Sequence, residues 1–269
     1  MTDTEYAYLK KRIHDVLGID LDAYKSQQMR RRLATFVDRK DTGGVFRFAR
    51  SLGQDQDVVK ELKDMLTINV TEFFRDANQF KQLEAFVLPE LLEDRSRLNI
   101  WTAGCSNGAE PYSLAMILDD QPNSSSHRIL ATDIDVDMIS RARAGGPYQA
   151  NDVKNVSALR LRKHFSSSNG VRTISGELRD RVQFREHNLL SDEFEGGFDL
   201  VLCRNVVIYF TDETKSVLYQ RFSQSLKPGG VLFLGATEAL LAGNDASFER
   251  LSANFYRKSN ATVRLRKAA

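Results

Sequence analysis

Five side chains stand where a ligand could meet them. Arg204, Asn205 and Tyr209 follow the apolar run Phe198-Asp199-Leu200-Val201-Leu202-Cys203. Such a run reads as a strand buried on both faces of a parallel sheet. In open α/β sheets, ligands sit in the crevice beyond the carboxyl ends of the strands, so a cation, an amide and a phenol there are placed to touch one. Two acids occupy related positions. Glu110 opens the helical stretch Glu110–Leu118, just after the turn Gly104-Cys105-Ser106-Asn107-Gly108, and Asp133 closes the apolar run Arg128–Thr132. Glycines let backbone N–H groups approach a ligand closely. A carboxylate after the second strand can accept both protons of a ribose cis-diol. Taken singly, the same residues would serve equally as a strand cap, a packing turn and one buried tyrosine.

The glycine spacing narrows the choice of ligand. Gly104 and Gly108 form G-x-x-x-G, which fails the dinucleotide pattern G-x-G-x-x-G, and no G-x-x-x-x-G-K-[ST] is present. Glu110 would repel a pyrophosphate at the helix start. A ribose without phosphates fits, and S-adenosylmethionine is such a cofactor, with a sulfonium and an ammonium that acids favour. The four histidines show no ligand spacing, and Cys105 and Cys203 form no C-x-x-C, so neither a metal site nor a disulfide framework is expected.

Residues 1–75 read as a helical domain. Ile13, Val16 and Leu17 form one stripe, ended by Gly18. Asp22 is placed to cap the next helix, where Met29, Leu33, Phe36 and Val37 recur at helical spacing and Arg30, Arg31 and Arg32 wrap the flanks. Val58, Val59, Leu62, Met65 and Leu66 mark a further helix, and Thr67–Thr71 an extended connection. Residues 76–269 read as an α/β domain. A helix carries Phe80, Leu83, Phe86 and Val87, and Pro89 is expected to bend or end it. Strands over Leu98–Trp101, Arg128–Thr132, Phe198–Cys203 and Val231–Gly235, plus a last one from Asn254, alternate with helices and predict a doubly wound parallel sheet. Lys227–Gly230 reads as a tight turn. Residues from about 145 to 187 break the rhythm. The polar loop Ser166–Gly170 and the alternations Val171–Ile174 and Val182–Phe184 predict a small antiparallel β insertion.

Composition sets limits. With 42% hydrophobic and 28% charged residues, the chain reads as a soluble globular protein. A net charge of +2 speaks against a general nucleic-acid binder. Residues 1–50 carry eleven Lys/Arg against seven Asp/Glu, which suits an acidic partner surface or a solvated helix face. The N-terminus lacks an apolar signal region, and no apolar run is long enough for a membrane span, so a reducing cytoplasmic setting is expected.

The chain resembles the CheR family, S-adenosylmethionine-dependent glutamate methyltransferases of methyl-accepting chemoreceptors. The resemblance rests on Thr67–Arg75, Glu110-Pro111-Tyr112-Ser113, Ala131–Asp135, His187-Asn188-Leu189-Leu190 and Cys203–Phe210, with Lys227-Pro228-Gly229-Gly230 as looser support. It implies a class I, Rossmann-like methyltransferase fold with an N-terminal all-helical domain. It implies that Asn69, Thr71, Arg75, Glu110, Asp133, Asn188, Leu189, Arg204 and Asn205 contact the cofactor, and that Arg75 and Tyr209 lie nearest the transferred methyl. It implies that Arg30, Arg31, Arg32 and Arg39 face the cytoplasmic helical bundle of a chemoreceptor. Some members also dock a receptor tail on the β insertion. Ser166–Gly170 is short against those members, which implies action independent of a docking peptide.

The implied reaction is in-line attack of a glutamate carboxylate on the sulfonium methyl, leaving S-adenosylhomocysteine. A free glutamate, with pKa about 4.3, is already ionised at neutral pH, so no general base is needed. Other readings carry their own marks. Methylators of nucleic-acid amino groups often have an Asp/Asn-Pro-Pro-aromatic loop after the fourth strand, where this chain has Arg-Asn-Val-Val. A small-molecule methyltransferase would leave the basic helical domain without a purpose. A non-catalytic receptor-binding module would tolerate changes at Asn69, Asp133 and Asn205.

Overall fold

The structure is a computed structural model that describes residues 1–121, 126–240 and 247–259. It divides into two compact units, Met1–Ile68 with Tyr209–Lys215, and Asn69–Ile208 with Ser216–Ala269.

The first unit is helical. α1 (Asp3–Leu17) starts with a capping box between Thr2 and Glu5 and ends at Gly18, whose φ of +67° is a left-handed cap. It buries Tyr6, Leu9 and Ile13. α2 (Ser26–Lys40) buries Met29, Leu33, Phe36 and Val37, the stripe expected from spacing. Asp22 does not cap it. Asp20 caps a single 3₁₀ turn at Leu21–Ala23, and that turn displaces the start of α2, which has no side-chain cap. α3 (Val45–Ser51) and α4 (Gln56–Thr67) complete the set, with Asp55 capping α4 through the N–H groups of Asp57 and Val58. The returning segment joins this unit by backbone pairing: Lys25 N–H donates to the Tyr209 carbonyl (3.0 Å) and Thr211 N–H to Ala23 (2.9 Å). Tyr24 and Phe210 meet edge to face, with centroids 4.9 Å apart.

The second unit is built on a seven-stranded sheet. Its strands are β1 (Asn99–Ala103), β2 (Arg128–Asp133), β5 (Val182–Glu186), β6 (Phe198–Cys203), β7 (Leu226–Leu234), β8 (Phe248–Arg250) and β9 (Phe255–Lys258). The order is β5-β2-β1-β6-β7-β9-β8. The first five run parallel, and β9 and β8 are antiparallel additions at one edge. The chain leaves β1 in one direction to β2 and later returns on its other side as β6. The switch point therefore lies between the carboxyl ends of β1 and β6, where such sheets bind ligands. α7 (Ala109–Asp119) and α8 (Val136–Ala144) follow β1 and β2. Every residue of β6 is buried, as its apolar run requires.

Several expectations change. Val182–Phe184 is no part of the insertion, since β5 pairs in parallel with β2 at the sheet edge and its alternation is that of a half-buried edge strand. The insertion's strands are β3 (Phe165–Ser168) and β4 (Val171–Ile174), joined through Asn169 and Gly170. Both turn residues have positive φ, as a two-residue hairpin of this type requires. Lys227–Gly230 lies within β7 as an irregularity, which takes up the extra residues between the Phe198–Leu226 and Leu200–Val231 pairs. Pro89 neither ends nor breaks its helix. A π turn at Leu83–Val87 between α5 (Ala77–Gln82) and α6 (Leu88–Glu93) shifts the hydrogen-bond ladder just before the residue that cannot donate. Phe86, on the outside of that turn, is 70% exposed, whereas Phe80, Leu83 and Val87 are buried.

Candidate functional site

The glycine turn after β1 is set by contacts that only glycine permits. A Cβ on Gly104 would lie 2.4 Å from Val206 Cγ2, and one on Gly108 2.9 Å from the Ala142 Cβ; both glycines have φ near +80° to +90°. The turn hangs on β2 through the Gly104 and Cys105 N–H groups, both bonded to the Thr132 carbonyl (2.8 and 2.9 Å). Asp133 then closes the arrangement. Its Oδ2 accepts from Ser106 N–H (2.7 Å) and its Oδ1 from Asp135 N–H (2.9 Å). Burial pushes the Asp133 carboxyl above its ordinary pKa, against the pull of these donors. Each oxygen keeps a lone pair, so the pair can still accept from a diol.

Asn69 joins the same cluster. Its Nδ2 donates to Asp135 Oδ2 (2.7 Å) and its Oδ1 accepts from Ser106 Oγ (3.3 Å). Asp135 also caps α8 through the N–H groups of Asp137 and Met138. His187 N–H bonds the Asp133 carbonyl (2.9 Å), which brings the following Asn188 and Leu189 to the edge of the cluster. Asn188 folds into a tight turn, its Oδ1 accepting from Leu190 N–H (3.0 Å).

Arg204 is the centre of a second cluster. Its side chain is 2% exposed and bonds Glu110 Oε2 (3.1 Å), Asp76 Oδ2 (3.0 Å), Gln79 Oε1 (2.9 Å) and the Arg75 carbonyl (2.9 Å). Its guanidinium also lies over the rings of Phe80 and Phe233, at 5.1 and 4.8 Å from their centroids. Burial pushes the Glu110 carboxyl above its ordinary pKa; Arg204 opposes this and Glu238 adds to it. Glu110 Oε1 is buried and has no hydrogen-bond partner among the described residues. A buried acceptor in that state is costly unless a donor arrives, and an ammonium is a fitting one.

Arg75 is half-buried and spends one guanidinium nitrogen on the Val70 carbonyl (2.8 Å), and Thr71 is half-buried in the same irregular segment. Asn205 sits at φ +60°. Phe74, Asp76 and Ser106 are also left-handed non-glycine residues, so strained backbone gathers around these two clusters. Tyr209, Arg30, Arg31, Arg32 and Arg39 lie in the helical unit. Arg30 bonds Asp3 Oδ1 and the Met1 carbonyl (2.6 Å each), and Arg32 donates to the Met65 carbonyl, while Arg31 and Arg39 are exposed.

Glu238 was not among the expected residues. It is 5% exposed, and its carboxylate accepts from the N–H groups of Asn205, Gly235 and Ile208. It follows the carboxyl end of β7 as Arg204 follows that of β6, so the same strand-end reasoning would have found it. Among the described residues no group of His, Cys, Asp and Glu could hold a metal ion, and no helix is long and apolar enough to cross a membrane.

Known proteins are similar to this chain over most of its length. The CheR methyltransferase all-alpha domain family matches residues 4–67 and the CheR methyltransferase SAM binding domain family matches residues 69–257. The chemotaxis protein methyltransferase of Listeria monocytogenes is 40% identical over 258 residues, covering 96% of this chain and 98% of that protein. Chemotaxis protein methyltransferase 1 of Pseudomonas aeruginosa is 36% identical over 234 residues, covering 83% and 85%. A solved SAM-dependent methyltransferase of Methanosarcina mazei is 18% identical, covers 55% of this chain and 56% of that one, and has a TM-score of 0.35. With both families matched in order, and whole-length relatives at this identity, the chain belongs to the CheR methyltransferase family and is an S-adenosylmethionine-dependent methyltransferase.

Proposed function

We propose that this enzyme methylates glutamate side chains on the helical bundle of chemoreceptors, forming γ-methyl esters and S-adenosylhomocysteine. One observation carries the cofactor side of the reading: Glu110 Oε1, a buried acceptor without a partner, sits beside a glycine turn closed by Asp133. In this reading Asp133 accepts the ribose hydroxyls and Glu110 the ammonium of the amino-acid tail. Asn69 braces the turn through Ser106 and Asp135, Asn188 and Leu189 border the adenine, and Arg204 and Asn205 hold the tail side. When bound, the cofactor supplies an electrophilic methyl on a cationic sulfur.

The chain's own task is alignment. The attacking carboxylate arrives ionised, and orientation can contribute roughly 7–11 kcal/mol without any proton transfer. Arg75 would receive that carboxylate. A cation that gripped it fully would favour the ground state over the transition state. Arg75 already shares its guanidinium with the Val70 carbonyl, which suits orienting rather than clamping. Arg75→Ala is expected to lose on the order of 10²-fold in kcat at saturating cofactor; unchanged methyl transfer would remove Arg75 from the mechanism.

The receptor side rests on the exposed arginines of α2, Arg31 and Arg39, and on relatives named chemotaxis protein methyltransferases. The short β3–β4 hairpin supports action without a receptor docking peptide. Incubation with labelled S-adenosylmethionine and chemoreceptor-containing membranes tests the whole reading. Label released by alkali as volatile methanol supports carboxyl methyl esters, and alkali-stable label would overturn that substrate class.

A further inference from the structure

A hydrogen-bonded relay runs from Arg204 through three residues that the cofactor reading does not use. Arg204 Nη2 donates to Gln79 Oε1 (2.9 Å), and Gln79 Nε2 donates to Asn254 Oδ1 (2.6 Å). Asn254 Nδ2 donates to the Gly235 carbonyl (2.7 Å) and, at 3.5 Å, to the Glu238 carbonyl. Glu238 Oε2 accepts from Gly235 N–H (2.7 Å) and Asn205 N–H (2.8 Å), and Oε1 from Ile208 N–H (3.2 Å). The last step returns to the residue after Arg204, so the relay closes into a ring. The fit is tight, since a Cβ on Gly235 would lie 2.6 Å from Glu238 Oε2 and 2.9 Å from Asn205 N.

The ring solves a specific problem. Asn205 holds a left-handed backbone that a non-glycine side chain disfavours, and such a turn persists only where its surroundings over-determine it. Glu238 supplies acceptors to N–H groups on both sides of the turn. Burial pushes the Glu238 carboxyl above its ordinary pKa, the backbone donors pull against this, and Asn254 holds the Gly235 and Glu238 carbonyls behind it.

We propose that Glu238, supported by Asn254 and Gln79, is a positioning residue for methyl transfer that fixes the Arg204–Ile208 loop in its cofactor-binding form. This rests on the reading of Arg204 and Asn205 as cofactor contacts. The isosteric Glu238→Gln tests it in the full chain. An amide offers one acceptor oxygen and turns its NH₂ towards an N–H group that has lost its partner, so the loop relaxes while the volume stays filled. Calorimetric titration with S-adenosylhomocysteine is expected to show dissociation at least tenfold weaker than wild type, with the ligand-free melting transition still cooperative. Gln79→Leu breaks the ring at its half-buried first step from Arg204 and is expected to weaken binding several-fold. It keeps the test open if Glu238→Gln does not fold. A purely structural role would lower the melting temperature and leave the folded fraction binding at wild-type strength. Binding within twofold of wild type in both variants overturns the proposal. Wild-type protein that fails to bind S-adenosylhomocysteine overturns the cofactor reading and this inference with it.

Discussion

Glu110 shows how burial and function pull apart at a single residue. Its raised pKa means that the folded state holds the proton more tightly than the unfolded chain does. Apo stability therefore falls as pH rises from the ordinary carboxylate range to the folded pKa, and the deficit persists above it. Glu110→Gln is expected to flatten that dependence and to leave the apo protein at least as stable, as thermal melting across pH 4–8 would show. Cofactor affinity should move the other way. Loss of a charge-assisted hydrogen bond to an ammonium would weaken S-adenosylmethionine binding about 10–100-fold at neutral pH. Wild-type affinity should itself decline as pH falls through the raised Glu110 pKa, because the protonated acid no longer attracts a cation. A wild-type affinity flat over that window would take Glu110 out of the cofactor's reach.

At the scale of elements, the site is made by strand ends and by the turns that leave them. The carboxyl ends of β1, β2, β6 and β7 carry Gly104, Asp133, Arg204 and, four residues past the end of β7, Glu238. Gly104 is where two such turns approach most closely, at Val206. Gly104→Ala would combine an unfavourable positive φ with that collision. It is expected to destabilise the protein by about 1–3 kcal/mol in urea unfolding and to weaken cofactor binding by separating the β1 and β6 turns. A variant with unchanged stability would mean that the turn yields freely. The helical elements were easier to anticipate. In α2 the apolar stripe alone decides which face is buried, and the stripe is visible in the chain. The π turn before Pro89 was not, because a proline says only that one donor is missing and leaves open how the ladder adapts.

For the whole molecule, charge distribution matters more than total charge. The excess of basic residues in the first fifty carries over to the helical unit, but its members differ. Arg30 and Arg32 are engaged with Asp3 and with backbone carbonyls, which leaves Arg31 and Arg39 as the exposed cations among the four expected at the receptor. Replacing both by Glu is expected to raise the KM for receptor several-fold with little change in kcat. The effect should shrink with salt as the screening length falls from about 10 Å at 0.1 M to about 3 Å at 1 M. A kcat effect that ignores salt would place these residues outside long-range recognition.

The sequence by itself determined the α/β class, the buried strands and the polar strand ends at Asp133 and Arg204, because periodicity and strand-end chemistry are local properties of the chain. It also carried the family, through short segments in a fixed order. Only the tertiary structure decided that Val182–Phe184 joins the main sheet. Strand pairing is a long-range choice, and the alternation of β5 fits an edge of either sheet. Only the tertiary structure, likewise, brought Gln79 to Asn254 across 175 positions and set Glu238 beneath Asn205. A buried polar group needs its partners in space, and nothing in its sequence neighbourhood says where they come from.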